Sequence, residues 1–339
     1  MRSRGALALV LAAALVVGAC SGEEPEPEAQ ASPSEEPPPP PKCPLTGRDP
    51  RDVDAERSAI AVKIENSPAA RPQTGLEKAD VVFEEIVEGG ITRFMAIYHC
   101  EDARKAGPVR SARFDDPKIA TPFTRVIAYS GSNSIVEREL KKKNVIRLHE
   151  LNEKDAFFRV PPGVLEVHNL FVDTTKLRAA VRKRELKPPR HVFEFGAITG
   201  RARRTRRVTV SFNNSNTIEY RWKKGAWRRF EAGARFMTAS GKQIAVANVV
   251  VQEVEVNPSG TIVDVAGNPS PDISLVGKGR AFLFRNGKVI KGRWRIKKEG
   301  APPRYMTRSG NAMVFAPGEI WVELMPSRKG AWKGGISFK

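Results

Sequence analysis

Val81-Val82-Phe83-Glu84-Glu85-Ile86-Val87-Glu88-Gly89-Gly90-Ile91-Thr92-Arg93-Phe94-Met95-Ala96-Ile97-Tyr98-His99 is the stretch from which the fold is read. Two strand-like runs, Val81–Val87 and Thr92–His99, flank Glu88-Gly89-Gly90, where glycine permits a tight reversal at low strain. Side chains alternate across a strand, so Glu84 and Glu85 point to opposite faces and cannot act together as an acid–base pair. Upstream, Ala59–Ile64 reads as a buried strand, ended by Asn66-Ser67-Pro68 and by turn residues Arg71-Pro72-Gln73-Thr74-Gly75. Downstream, Gly107-Pro108 opens a loop through Val109-Arg110-Ser111-Ala112-Arg113. A helix follows, with Asp115 or Asp116 near its start and Pro117 in its first turn. Arg125–Ser130 is a further strand, Gly131-Ser132 leads into a helix through about Lys142, and Val145–Leu148 is a short strand. Thr174–Glu185 is an amphipathic helix capped by Asp173. Strands alternating with helices predict an α/β layered N-terminal domain, residues 43–200.

Beyond residue 200 the pattern changes. Val208–Phe212, Thr217–Trp222, Ala226–Phe230, Val246–Val256, Arg280–Phe284, Val289–Ile296 and Ile320–Leu324 are short β-rich runs. Asn286-Gly287 between two of them is a strong hairpin signal. The five tryptophans all lie in this half and read as core and rim packing, with a sugar-stacking platform as the alternative. Residues 201–339 are therefore expected to form a mainly antiparallel β domain, a sandwich or barrel, giving an α+β or α/β chain of two domains.

The N-terminus supplies the address. Arg2 and Arg4 precede an apolar run, Ala6–Val17, which is shorter than the roughly 20 residues a membrane span needs. This is the pattern of a cleaved export signal. Val17-Gly18-Ala19-Cys20 resembles a bacterial lipobox, so residues 1–19 are expected to be removed and Cys20 lipidated; the alternative is a secretory signal cut after Ala19. Acyl chains contribute about 0.8 kcal/mol per buried methylene, and two or three of them make a stable anchor. Residues 20–42 form a Pro- and Glu-rich disordered tether, roughly 40–70 Å long. Cys43 and Cys100 remain as an even pair in an oxidising compartment and are expected to form a disulfide. The formal net charge is +19. Residues 21–42 carry six glutamates against Lys42, and the signal two arginines, which leaves +22 on residues 43–339. A cytoplasmic protein so basic would suggest nucleic acid, but export excludes that partner. Anionic envelope polymers and lipid headgroups remain, together with an envelope protein partner.

Several strings carry a resemblance. Asn66–Gly75, Ala79–Val82, Val87–Phe94 and Gly107–Arg113 are similar to the signature of the YerB-like bacterial lipoproteins (domain of unknown function 3048). The similarity continues through Tyr129-Ser130-Gly131, Val167-His168-Asn169-Leu170, Asn248–Gln252, Gly277–Asn286 and Pro317–Trp321. Ser130-Gly131-Ser132-Asn133 departs from it, since relatives carry two adjacent glycines there. The resemblance implies two domains and an extracytoplasmic lipoprotein, with no settled biochemistry.

Two roles fit the motif residues. Arg93, Arg110 and Arg113, with Ser111, His168 and Asn169, can form an anion-binding cleft, because guanidinium forks pair bidentately with phosphate or carboxylate. The same residue types serve an internal network in which Glu84, Glu85, Glu88, Asp115 and Asp116 hold the arginines. A looser similarity, to the LytR-CpsA-Psr glycopolymer transferases, implies a third role, with Arg113 and Asp115 or Asp116 around a lipid pyrophosphate and magnesium. No nucleophile elbow, phosphate loop or metal-ligand spacing is present, so no cofactor or metal is expected and a catalytic role is the minority reading. The chain is expected to be a lipid-anchored binding or scaffold protein of the cell surface, the alternatives being a metal-dependent phosphoryl or glycopolymer transferase and a structural adaptor for another envelope protein.

Overall fold

The computed structural model describes residues 42–339, apart from 51–52, 164–165 and 265–266. The expected signal segment, Cys20 and the expected tether up to residue 41 lie outside the described residues.

The first half supplies β1 (Ile60–Glu65), β2 (Val81–Ile86), β3 (Thr92–Tyr98), β4 (Val126–Ala128), β5 (Ile146–Leu148), and a small hairpin of β6 (Phe157–Arg159) and β7 (Leu170–Val172). Helices α1 (Asp116–Ala120), α2 (Ser134–Lys142) and α3 (Thr174–Val181) are interspersed. The Asn133 and Asp173 side chains accept from backbone N–H groups in the first turns of α2 and α3. β8 (Glu194–Phe195) and β9 (Arg203–Arg204) lead into the second half: β10 (Arg207–Ser211), β11 (Thr217–Lys223), β12 (Ala226–Glu231), β13 (Ala234–Arg235) and β14 (Ala245–Val246). Then come β15 (Asn248–Val263), β16 (Pro269–Ser274), β17 (Gly277–Arg285), β18 (Lys288–Ile296), β19 (Arg304–Thr307), β20 (Val314–Phe315), β21 (Ile320–Pro326) and β22 (Gly335–Phe338).

One mixed sheet of twelve strands runs β19-β18-β17-β15-β21-β2-β3-β1-β4-β5, with β16 and β9 pairing at its side. Strands β10–β14 and β22 build a second sheet of six. Its inner side chains meet the large sheet: Trp227 packs on Phe284, and Phe236 packs on Phe94 and Trp321. The expected α/β layering therefore needs correction, because the architecture is predominantly β. The longest helix, α2, spans nine residues, too few to cover a broad sheet, and strands from beyond residue 207 do part of that covering instead. Nor do the C-terminal strands close on themselves. β15, β17, β18, β19 and β21 extend the N-terminal sheet through the parallel pair β21–β2.

Local signals placed the turns. β2 and β3 pair antiparallel from Val81↔Ile97 to Ile86↔Thr92 across Glu88-Gly89-Gly90. Asn286 and Gly287 adopt φ of 49° and 66° and close the β17–β18 hairpin. Trp227, Trp294 and Trp321 are buried, which favours core packing over a sugar platform.

Cys43 and Cys100 are disulfide-bonded, with a Cα separation of 6.1 Å, tying the start of the folded body to the residue two past β3. They lie 57 residues apart in sequence, and cross-linking a loop of that length stabilises by about 4 kcal/mol in the chain-entropy account. The Cys43→Ser, Cys100→Ser double variant should lose about that much unfolding free energy in urea titration. A loss within experimental error would mean the bridge contributes nothing to stability.

Candidate functional site

Strand register sets the arginine motif. Glu65 on β1 lies opposite Arg93 on β3, which lies opposite Glu85 on β2, so a carboxylate–guanidinium–carboxylate row crosses one face of the sheet. Lys63, two residues before Glu65, shares that face; it is fully buried, with its Nζ 2.5 Å from Asp116 and in contact with Glu85. The loop from Arg110 to Asp116 closes over this row. Arg110 donates its backbone N–H to the Lys63 carbonyl at 3.0 Å, and its Nε to Glu65 at 2.5 Å. Arg93 Nη1 donates to the Ser111 carbonyl at 3.0 Å, and its Nε lies 3.8 Å from Glu65. Arg113 Nε donates to Glu88 at 2.6 Å, while its backbone N–H reaches Asp116 at 2.8 Å. The Ser130-Gly131 turn backs the loop: Ser130 N–H donates to the Arg110 carbonyl, and Ala112 N–H donates to the Gly131 carbonyl, each at 3.0 Å.

Charge decides what this cluster can do. Four cations (Lys63, Arg93, Arg110, Arg113) stand against four carboxylates (Glu65, Glu85, Glu88, Asp116). Burial pushes the Arg93 guanidinium down to about 10, with Arg113 adding to the effect. Burial pushes the Glu65 carboxyl up, but Arg93 and Arg110 more than offset this and hold it below its ordinary value. Helix α1 begins at Asp116, with Asp115 at its N-cap position, and Asp116 is occupied by Lys63 and the Arg113 N–H. Asp115 accepts from Lys118 at 2.7 Å and from the Ile273 N–H at 3.0 Å. His168 and Asn169 sit at the β6–β7 hairpin, whose Leu170 carbonyl accepts from Val109; the Asn169 Oδ1 accepts from Arg159 at 2.8 Å.

Glu84 belongs to a second cluster on the opposite face. Arg229 on β12 is fully buried between the sheets, 2.7 Å from Glu84, 3.1 Å from Glu231 and 3.4 Å from Glu323. Its guanidinium also lies against the rings of Phe94, Phe236 and Trp321. Glu84 and Glu323 face one another across the β2–β21 pair. Burial, then the facing Glu84 carboxylate, pushes the Glu323 carboxyl well above the usual carboxylate range. Tyr220 donates to Glu323, and Arg229 donates to the Tyr220 hydroxyl at 3.0 Å. The Asn66–Gly75 string wraps this cluster: Asn66 donates to Glu84 and Thr92, and Arg71 pairs with Glu231. Sequence reading missed Lys63, Glu65, Arg229, Glu231 and Glu323. The available signal was an ionisable residue inside an apolar strand, as Lys63 in Ile60–Ile64 and Glu323 in Ile320–Met325.

Arg229→Met leaves Glu84 buried without its cation and Glu231 with Arg71 alone, and should cost about 3–5 kcal/mol. Glu323→Gln keeps a neutral acceptor where burial already disfavours charge, and at pH 7 should cost less than about 1 kcal/mol. Equal losses in thermal unfolding would show that Glu323 is ionised. Glu65, held below its ordinary value, contributes stability that is present above about pH 4.3 and lost as pH falls through its lowered folded value. Arg110→Gln should therefore destabilise by about 2 kcal/mol at pH 7, with the gap closing once Glu65 is protonated in both proteins. A gap that persists below the pH at which Glu65 is protonated in both folded proteins, followed by NMR of its carboxyl, would rule out the Glu65 pairing as its source.

With this geometry in view, comparison with known proteins is informative. Residues 45–187 match the N-terminal domain, and residues 207–322 the C-terminal domain, of the family described as protein of unknown function (DUF3048). "Putative lipoprotein YerB" of Bacillus subtilis (strain 168) is 29% identical over 294 residues, covering 84% of this chain and 86% of the relative. The crystal structure of the YerB protein from Bacillus subtilis is similar with a TM-score of 0.71 at 27% identity, covering 87% of this chain and 99% of that chain. Matched in order through both halves, the chain belongs to the DUF3048 family.

Proposed function

We propose that this chain is a lipoprotein, acylated at Cys20 and held outside the cytoplasmic membrane, whose folded body binds or scaffolds anionic material of the cell envelope. The observation that carries the reading is the distribution of charge. The arginine motif is balanced four against four, so the +22 of residues 43–339 is expressed elsewhere, on the surface. The motif arginines are then braces that fasten the Arg110–Asp116 loop to β1, β2 and β3. The relative's name, a putative lipoprotein, supports the anchor suggested by Val17-Gly18-Ala19-Cys20. A transferase role is less well supported, because Asp115 and Asp116 are both engaged by lysines and backbone N–H groups. A pure adaptor is less well supported too: of residues 201–339, Val276 is the one exposed large apolar side chain among the described residues.

Cys20→Ala should abolish labelling by radioactive fatty acid and release the body from the membrane fraction; retention of both would refute the anchor. Arg113→Gln should lower stability by about 2–3 kcal/mol while leaving retention on anionic envelope polymer unchanged. Loss of retention in a folded Arg113→Gln protein would return the ligand site to the motif.

A further inference from the structure

One edge of the large sheet carries more positive charge than the fold balances. In the β17–β18–β19 register, Lys278 lies opposite Arg295, Arg280 opposite Arg293, and Arg295 opposite Arg304. Directly opposed residues share a face, and these five are exposed. Like charges directly opposite on a sheet are destabilising, so three such contacts in a row work against the fold. Arg280 is answered by Glu253 on β15; Lys278, Arg293, Arg295 and Arg304 have no carboxylate within ion-pair distance among the described residues. On the same face Lys291 follows toward the hairpin, beside Arg203 on β9, both lying over the Phe338 ring. There the face opens into a cavity of about 630 Å³ that Arg201, Arg203, Lys291 and Arg308 line together with Thr307 and Asn311.

Resting on the proposed envelope-binding role, we infer that this face and its cavity form the binding site, and that the ligand is a linear phosphodiester polymer. Arginine dominates the track, and its planar fork matches phosphate oxygens bidentately, which lysine cannot do. A bound polyanion converts each unfavourable cation pair into a favourable contact, a gain available only in the complex. The cavity lies within the size range of small-molecule pockets and has no acidic residue in its lining, so it suits one sugar- or polyol-phosphate unit. A flexible chain can follow the strands and enter that cavity, whereas a bilayer surface cannot. A second basic groove, near Lys223, Lys224 and Arg228, is smaller, about 410 Å³, and of its opposed pair Arg221 and Arg228, Arg221 is engaged by Glu219.

The test uses full-length acylated protein in non-ionic detergent, titrated with fluorescent poly(glycerol phosphate) at several salt concentrations. Arg293→Gln, Arg295→Gln, Arg304→Gln together should weaken binding about tenfold or more and reduce the log–log salt slope by about two. The melting temperature of this variant should be unchanged or higher, because like-charge pairs are relieved. Lys223→Gln, Lys224→Gln, Arg228→Gln should leave affinity unchanged. If the second triple variant loses binding and the first does not, the site is wrong while the envelope-binding role stands. If wild type does not bind the polymer and detergent-free Cys20→Ala protein does not bind vesicles of phosphatidylglycerol, both fall. Binding of that Cys20→Ala protein to the vesicles which the polymer cannot displace would assign the face to the membrane and overturn the polymer.

Discussion

A single buried cation holds the two sheets in register. Taking a guanidinium out of water costs several kcal/mol, and only close carboxylates and ring faces offset that cost. Arg229 has both, from β2, β12 and β21 and from Phe94, Phe236 and Trp321. Those partners come from segments far apart in the chain, so the site forms only when the large sheet and the six-stranded sheet dock together. A hydrophobic interface alone tolerates sliding; a buried charge with fixed partners does not. The upward push on the Glu323 carboxyl belongs to the same constraint, since burial and the facing Glu84 both disfavour its charge.

The β2–β3 pair serves two polar environments at once. Glu84 turns toward Arg229, and Glu85 turns toward Lys63 under the arginine loop. This alternation accounts for much of the motif that marks the family. Asn66 and Arg71 serve the first face, while Arg93, Arg110 and Arg113 serve the second. Both clusters look inward. Strings that read in sequence as a set of anion-binding groups are, in three dimensions, groups already supplied with their anions. Charge with no carboxylate at ion-pair distance among the described residues lies where local sequence attracts less notice, as on alternate residues of β17, β18 and β19.

Legibility varied with the range of the interaction that decided each feature. Asn286-Gly287, the Glu88-Gly89-Gly90 reversal and the Asp173 cap depend on neighbours a few residues away, and each is found where the sequence placed it. The Cys43–Cys100 bridge followed from an even count in a chain whose N-terminus reads as an export signal. Helix signals were present, but α3 stops at Val181 rather than Glu185, and the layering expected of the helices gave way to sheet-on-sheet packing. Lys63 and Glu65 escaped notice because a charged residue in an apolar strand cannot be assigned without its partner. His168 and Asn169, adjacent to a recognisable string, belong to the β6–β7 hairpin, with Asn169 engaged by Arg159.

By itself the sequence determined most of the longer strands, where they turn and which of their faces are apolar, and it carries a lipobox-like string ending at Cys20. Those properties are written in alternation, glycine placement and local composition. Only the tertiary structure decided that β2 pairs in parallel with β21, from Val81↔Ile320 to Glu84↔Glu323, and so fused the strands of both halves into one sheet. A strand's pattern states which side is buried but not which strand lies beside it. That choice is made by long-range packing and by where Arg229 can find its carboxylates, and no window of local sequence contains either.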